Sequence, residues 1–171
     1  PFLRARKISH IDALVMSHAH PDHAGGLAHL VRHMAPAELW WSGRGGEGRA
    51  WDETVRALRD TGTPTRILHA GDVIAGFPEV TVVHPPRSWE PPSLNEASLV
   101  LRLQGASASL LLAGDAEAQA EAAMRESGAV LVATVLKVPH HGSRTSSTPA
   151  FLDAVQPLVG ELILPVFGGS P

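Results

Sequence analysis

The stretch "IDALVMSHAHPDHAGGL" (Ile11 to Leu27) sets an apolar run directly before three histidines and an aspartate. A short apolar run of this kind reads as a buried strand. Pro21 has no N–H to donate, so His18 to His23 is expected outside any helix. A rigid strand can then hold His18, His20, Asp22 and His23 in place. Imidazole and carboxylate together suit zinc, manganese or iron. Gly25 and Gly26 let the backbone pack closely and open the next helix. A histidine-rich surface loop is the plain alternative, but it gives no reason for the preceding strand.

The donor atoms are limited by composition. The chain has no cysteine, so thiolate ligands, disulfides and thiol nucleophiles are excluded, and a metal must be held by nitrogen and oxygen. At 171 residues and 44% hydrophobic, one domain with its own core is expected. The formal charge of −3 is not the strongly basic balance that draws nucleic acid by its overall field. No apolar run is long enough to cross a bilayer and no signal peptide is evident, so the chain as given is expected to be soluble.

Strands are expected in "AELWW", "TRILHAGD", "EVTVVHP", "ASLVLRLQ", "SASLLLAGD", "VLVATVLKVP" and "GELILPV". Helices are expected in "GGLAHLVRHM", in "RAWDETVRALRDTG" ended by Gly62, in "AEAQAEAAMRESG", and in "STPAFLDAVQP" opened by Thr148 and Pro149. "HPPRSWEPPSLN" reads as a proline-rich surface loop. This order suits a layered α/β sandwich with helices outside two sheets. A Rossmann fold is excluded because no GxGxxG follows the first strand.

Two later stretches also carry polar residues on strand ends. "LLLAGDAE" delivers Asp115 through Gly114, and taken alone Asp115 reads as a helix cap. "LKVPHHGSRTSS" places His140 and His141 after an apolar strand, with Gly142, Ser143, Arg144, Lys137 and a Ser/Thr run offering donors to a phosphate.

"HAHPDH" followed by "GGL" resembles the signature of the metallo-β-lactamase-fold superfamily. "LLLAGDAE" and "LKVPHHGSRTSSTPAFLDAVQP" narrow the resemblance to the domain of that fold in ComEC/Rec2 competence proteins, which are bacterial DNA-uptake channels. It implies a four-layer αββα sandwich over residues 1–171, here lacking the N-terminal strands and the C-terminal end. It implies two divalent ions, zinc or manganese, with His18, His20 and Asp115 on one, and Asp22, His23, Asp115 and His140 on the other. His140 is slightly preferred to His141 as the ligand, although the sequence does not separate them. Asp22 and His141 are then the catalytic residues, and Asn95, Ser143 and Arg144 the substrate contacts. The implied activity is phosphodiester hydrolysis. The expected role is a nuclease at the extracytoplasmic face that degrades the DNA strand not imported, joined to the membrane channel of the same polypeptide. A stand-alone phosphorylcholine esterase or lactonase, and a non-catalytic DNA- or partner-binding domain, are the alternatives. One departure matters: members commonly place a further histidine where this chain has Asn95. His84 lies nearer the other end of the proline-rich loop and reads as a strand-end histidine rather than its replacement.

Overall fold

The computed structural model describes residues 2–161. The chain divides into two compact units at Leu68 and His69. After a short helix, α1 (Phe2–Ala5), the first unit carries a parallel sheet of β1 (Ala13–Val15), β2 (Glu38–Trp41) and β3 (Thr65–Ile67) in that order. Between β1 and β2 lie α2 (Pro21–Ala24) and α3 (Leu27–Met34), and between β2 and β3 lies α4 (Arg49–Thr61). The α3 stripe that faces inward, Leu27, Ala28 and Val31, packs with Leu14, Met16, Leu39 and Ala57. Trp41 and Trp51 lie against this core with ring centroids 5.4 Å apart. Gly62 ends α4 at φ 67°, where its amide caps the carbonyls of Leu58 and Arg59.

The second unit is a five-stranded sheet of β4 (Val80–His84), β5 (Val100–Gln104), β6 (Ser109–Leu112), β7 (Val135–Lys137) and β8 (Val159–Glu161). The first three strands pair antiparallel and the last three parallel. The parallel half follows from its connections, because α5 (Ala118–Glu126) and α6 (Pro149–Val155) supply the crossovers that parallel neighbours need. Ala120 and Met124 of α5 and Phe151 and Val155 of α6 pack with Val100, Leu111 and Leu136. Thr148 caps α6 as expected, accepting from the Phe151 amide. Its hydroxyl and amide also donate to the buried Glu121 carboxylate, which thereby ties α5 to the start of α6.

Two expectations need correcting. Asp22 and His23 lie in a helix after all, because α2 begins at Pro21. A proline at the first helical position gives up an N–H that had no partner anyway. "VLVATVLKVP" pairs as a strand only from Val135. Residues 130–133 alternate exposed and buried without a ladder, and the Arg102 guanidinium takes the Val132 carbonyl instead. "GELILPV" lies outside the described residues beyond Glu161.

Candidate functional site

Each unit gathers polar groups at the carboxyl ends of its strands. In the first, the chain leaves β1 and passes Ser17, His18, Ala19 and His20 before α2 begins. His18 is 1% exposed. Its Nε2 lies 3.0 Å from His20 Nδ1, and its ring lies 4.1 Å from that of His23. The Ser17 hydroxyl sits between His18 Nδ1 at 3.2 Å and His23 Nδ1 at 3.1 Å. Asp22 Oδ2 is 3.6 Å from His23 Nε2. The loop stays compact because Gly46 lies over the Ala19 peptide, where a Cβ would come within 2.6 Å of the Ala19 carbonyl oxygen. The nitrogens of His18 and His20 are spaced close to the roughly 3.3 Å edge of a tetrahedral site with ligands at about 2.0 Å. This donor set fits a divalent cation.

In the second unit, β6 and β7 are parallel neighbours, so the residues after their ends lie side by side. Gly114, at φ 56°, turns the chain after β6 and presents Asp115, which is 2% exposed. The Asp115 amide donates to the Ser98 hydroxyl. Its Oδ1 faces Lys137 Nζ and its Oδ2 faces His141 Nε2, each at 3.4 Å. Lys137 also donates to the Gly114 carbonyl at 2.7 Å, so this ammonium is tied to the loop that carries Asp115. Asp115 is not the cap of α5. The amides of Glu117, Gln119 and Ala120 donate to the buried Glu96 carboxylate, and α5 starts only at Ala118.

The turn after β7 sorts the two histidines. His140 and His141 both adopt left-handed backbone, at φ 44° and 51°. Such residues each store about 1–3 kcal/mol of strain and cluster at functional sites. The result sends His141 to Asp115. His140 Nδ1 lies 2.8 Å from Glu117 Oε1, and its Nε2 lies 3.5 Å from Asn95. Of the two rings, which the sequence does not separate, His141 is the one that faces Asp115. Ser143 pairs with the Thr145 hydroxyl, and Arg144 is exposed. Ser146 donates to the Pro139 carbonyl, so the Ser/Thr run serves the turn itself as well as α6.

Sequence reasoning missed Ser17, Glu96 and Glu117 and treated Lys137 only as a neighbour. Glu117 was hidden in "AEAQAEAAMRESG", which reads as helix from Ala116, whereas α5 starts only at Ala118 and leaves Glu117 in the cap position. The Trp89 indole N–H donates to the Glu96 carbonyl, and its ring lies 5.3 Å from His84.

His84 ends β4 fully buried. Its Nδ1–H donates to the Ser98 carbonyl, and Nε2 has no hydrogen-bond partner. Burial pushes its pKa from 6.5 down to about 4. The unfolded chain therefore binds the proton more readily. The associated stability is complete above about pH 6.5 and is lost as the pH falls toward 4. Going from pH 7 to pH 5 should cost about 2 kcal/mol through this residue alone. Urea unfolding in EDTA checks it. His84→Asn should flatten the decline by that amount, and an equal decline in both chains would count against the assignment.

With this geometry in place, comparison with known proteins places the chain in a family. The sequence profile of the Metallo-beta-lactamase superfamily matches residues 1–165. The chain belongs to that superfamily. Its members are usually metal-dependent hydrolases, and two sheets flanked by helices are consistent with their fold. The superfamily domain is 34% identical over 158 residues to ComE operon protein 3 of Bacillus subtilis, covering 92% of this chain and 20% of that protein. It is 30% identical over 161 residues to Recombination protein 2 of Haemophilus influenzae, covering 92% and 18%. It is 27% identical over 176 residues to Competence protein ComA of Neisseria gonorrhoeae, covering 92% and 20%. The chain therefore spans about a fifth of the length of these relatives, which are ComEC-type competence proteins. Among the described residues no helix is long and apolar enough to cross a membrane.

Proposed function

We propose that the chain is a metal-dependent phosphodiester hydrolase, the nuclease domain of a ComEC/Rec2-type uptake protein, and that it degrades the non-transferred DNA strand at the extracytoplasmic face. The observation that carries this reading is the donor set. The first unit brings His18, His20, Asp22 and His23 together and the second brings Asp115 to His141, carboxylates and imidazoles of the kind that hold a divalent ion. His18 and His20 would hold a second ion. His141 takes the ligand role first considered for His140. A divalent cation held here, zinc or manganese, would lower the pKa of a bound water and stabilise charge on phosphate oxygens.

The chain's own residues do the rest. Asp22 orients the attacking water. Lys137 and Ser98 keep the Asp115 loop in place. His140, held by Glu117, faces the substrate side together with Asn95, and Ser143 and the exposed Arg144 are the candidates for phosphate contacts. The kinship with competence proteins supports DNA as substrate.

The test uses labelled single- and double-stranded DNA with Mn²⁺, Zn²⁺ or EDTA, for the wild type and Asp22→Ala. Cleavage that needs metal and disappears in the variant is the expected result. Cleavage persisting in EDTA, or intact DNA beside rapid turnover of a phosphocholine ester, would overturn the reading.

A further inference from the structure

Glu117 collects three donors on one carboxylate oxygen. Thr145 Oγ1 lies 2.7 Å from Oε1, His140 Nδ1 2.8 Å and Asn95 Nδ2 3.4 Å. These donors come from three separate segments: the 3₁₀ turn Asn95–Ala97, the histidine turn and the loop before α6. Asn95 Nδ2 also lies 3.5 Å from His140 Nε2.

The contact with Glu117 orients the Asn95 amide. Its NH₂ donates to Glu117 Oε1, whereas turned over the amide would set its oxygen against a carboxylate oxygen. This orientation leaves Asn95 Oδ1 buried with no hydrogen-bond partner. A buried carbonyl is rarely left in that state. Only a hydrogen-bond donor or a cation can satisfy it.

The geometry points to Asn95 Oδ1 as a ligand of a divalent cation, with Glu117 as the positioning residue that keeps the oxygen, not the NH₂, turned toward it. This inference rests on the metal-dependent reading above. The carboxylate draws on the amide N–H and makes the opposite oxygen a better ligand, in the way an outer carboxylate acts through a metal-bound imidazole. Glu117 touches neither metal nor substrate in this scheme and acts through Asn95.

Titration of Mn²⁺ into the metal-free whole chain, followed by calorimetry, tests it. Glu117→Gln should weaken binding about 10–100-fold, the usual loss for an outer-shell partner, with thermal unfolding shifted little. Asn95→Ala should weaken binding at least as much, and Glu117→Gln should add nothing in the Asn95→Ala background. Wild-type affinity in Glu117→Gln, or losses that multiply in the double variant, would overturn the inference. A second readout needs no metal. The Asn95 side-chain amide protons should be protected from exchange in the wild type and released in Glu117→Gln. If that change occurs while Mn²⁺ affinity stays constant, the oxygen serves a substrate donor and the cation assignment fails. Mn²⁺ binding lost in Asp22→Ala but kept in both Asn95→Ala and Glu117→Gln removes this inference alone. A folded wild type that binds no Mn²⁺ or Zn²⁺ removes the metal reading and this inference with it.

Discussion

Asparagine in place of Asp115 is expected to abolish metal-dependent cleavage while the chain still folds. The substitution keeps the volume and the amide-to-Ser98 bond, and it removes one negative charge from a side chain that is 2% exposed. Asp115 uses one oxygen toward Lys137 and the other toward His141. In the proposed centre it would also be a metal ligand. Its loss should therefore exceed the roughly 10–100-fold that follows removal of an outer-shell partner. Single-turnover cleavage of labelled DNA at saturating Mn²⁺ measures it, with circular dichroism to show that the fold survives. A variant within tenfold of the wild type, and with the same metal requirement, would rule Asp115 out as a ligand.

The largest loss of stability at a polar position is expected from Glu96→Ala. The Glu96 carboxylate is buried and accepts from the amides of Glu117, Gln119 and Ala120, at 3.2, 3.0 and 2.7 Å. Hydrogen bonds to charged groups contribute about 1.5–3 kcal/mol each, and relaxation of the helix end recovers part of that. A net loss of about 3–5 kcal/mol is expected, read as a lower urea midpoint. Glu96→Gln should fall between, because its single carbonyl oxygen replaces two acceptors. Ser98, two residues on, holds the Asp115 amide. Loosening this segment should weaken Mn²⁺ binding along with stability, whereas a variant as stable as the wild type would show that α5 needs no cap from Glu96.

What the sequence made legible was the local pattern. The apolar runs before His18, Asp115 and His140 announce strands that end at polar groups, and the Thr148–Pro149 start of α6 could be read from two letters. The misread places have a common cause. They depend on backbone conformation or on partners far along the chain. Pro21 argues against a helix interior, yet it is suited to a helix start, and only the surrounding packing decides between the two. "HH" cannot say which ring goes where, since the left-handed φ values of His140 and His141 make that choice. Glu96 lies 24 residues from the Ala120 amide that it accepts, so no periodicity joins them. Taken alone "GDAE" offers Asp115 as a helix cap, and only the resemblance sets that aside, because nothing in those letters discloses that Glu96 fills the role.

Ser17 owns a single hydroxyl proton, yet it stands between the Nδ1 atoms of two histidines. Its oxygen also has two lone pairs, so it can accept an Nδ1–H from both rings at once. In that arrangement each neutral ring keeps Nε2 as a lone pair, the form in which both can serve as ligands. One hydroxyl thus sets the tautomers of two histidines together. An alanine at position 17 would remove that common acceptor and leave each histidine to choose alone.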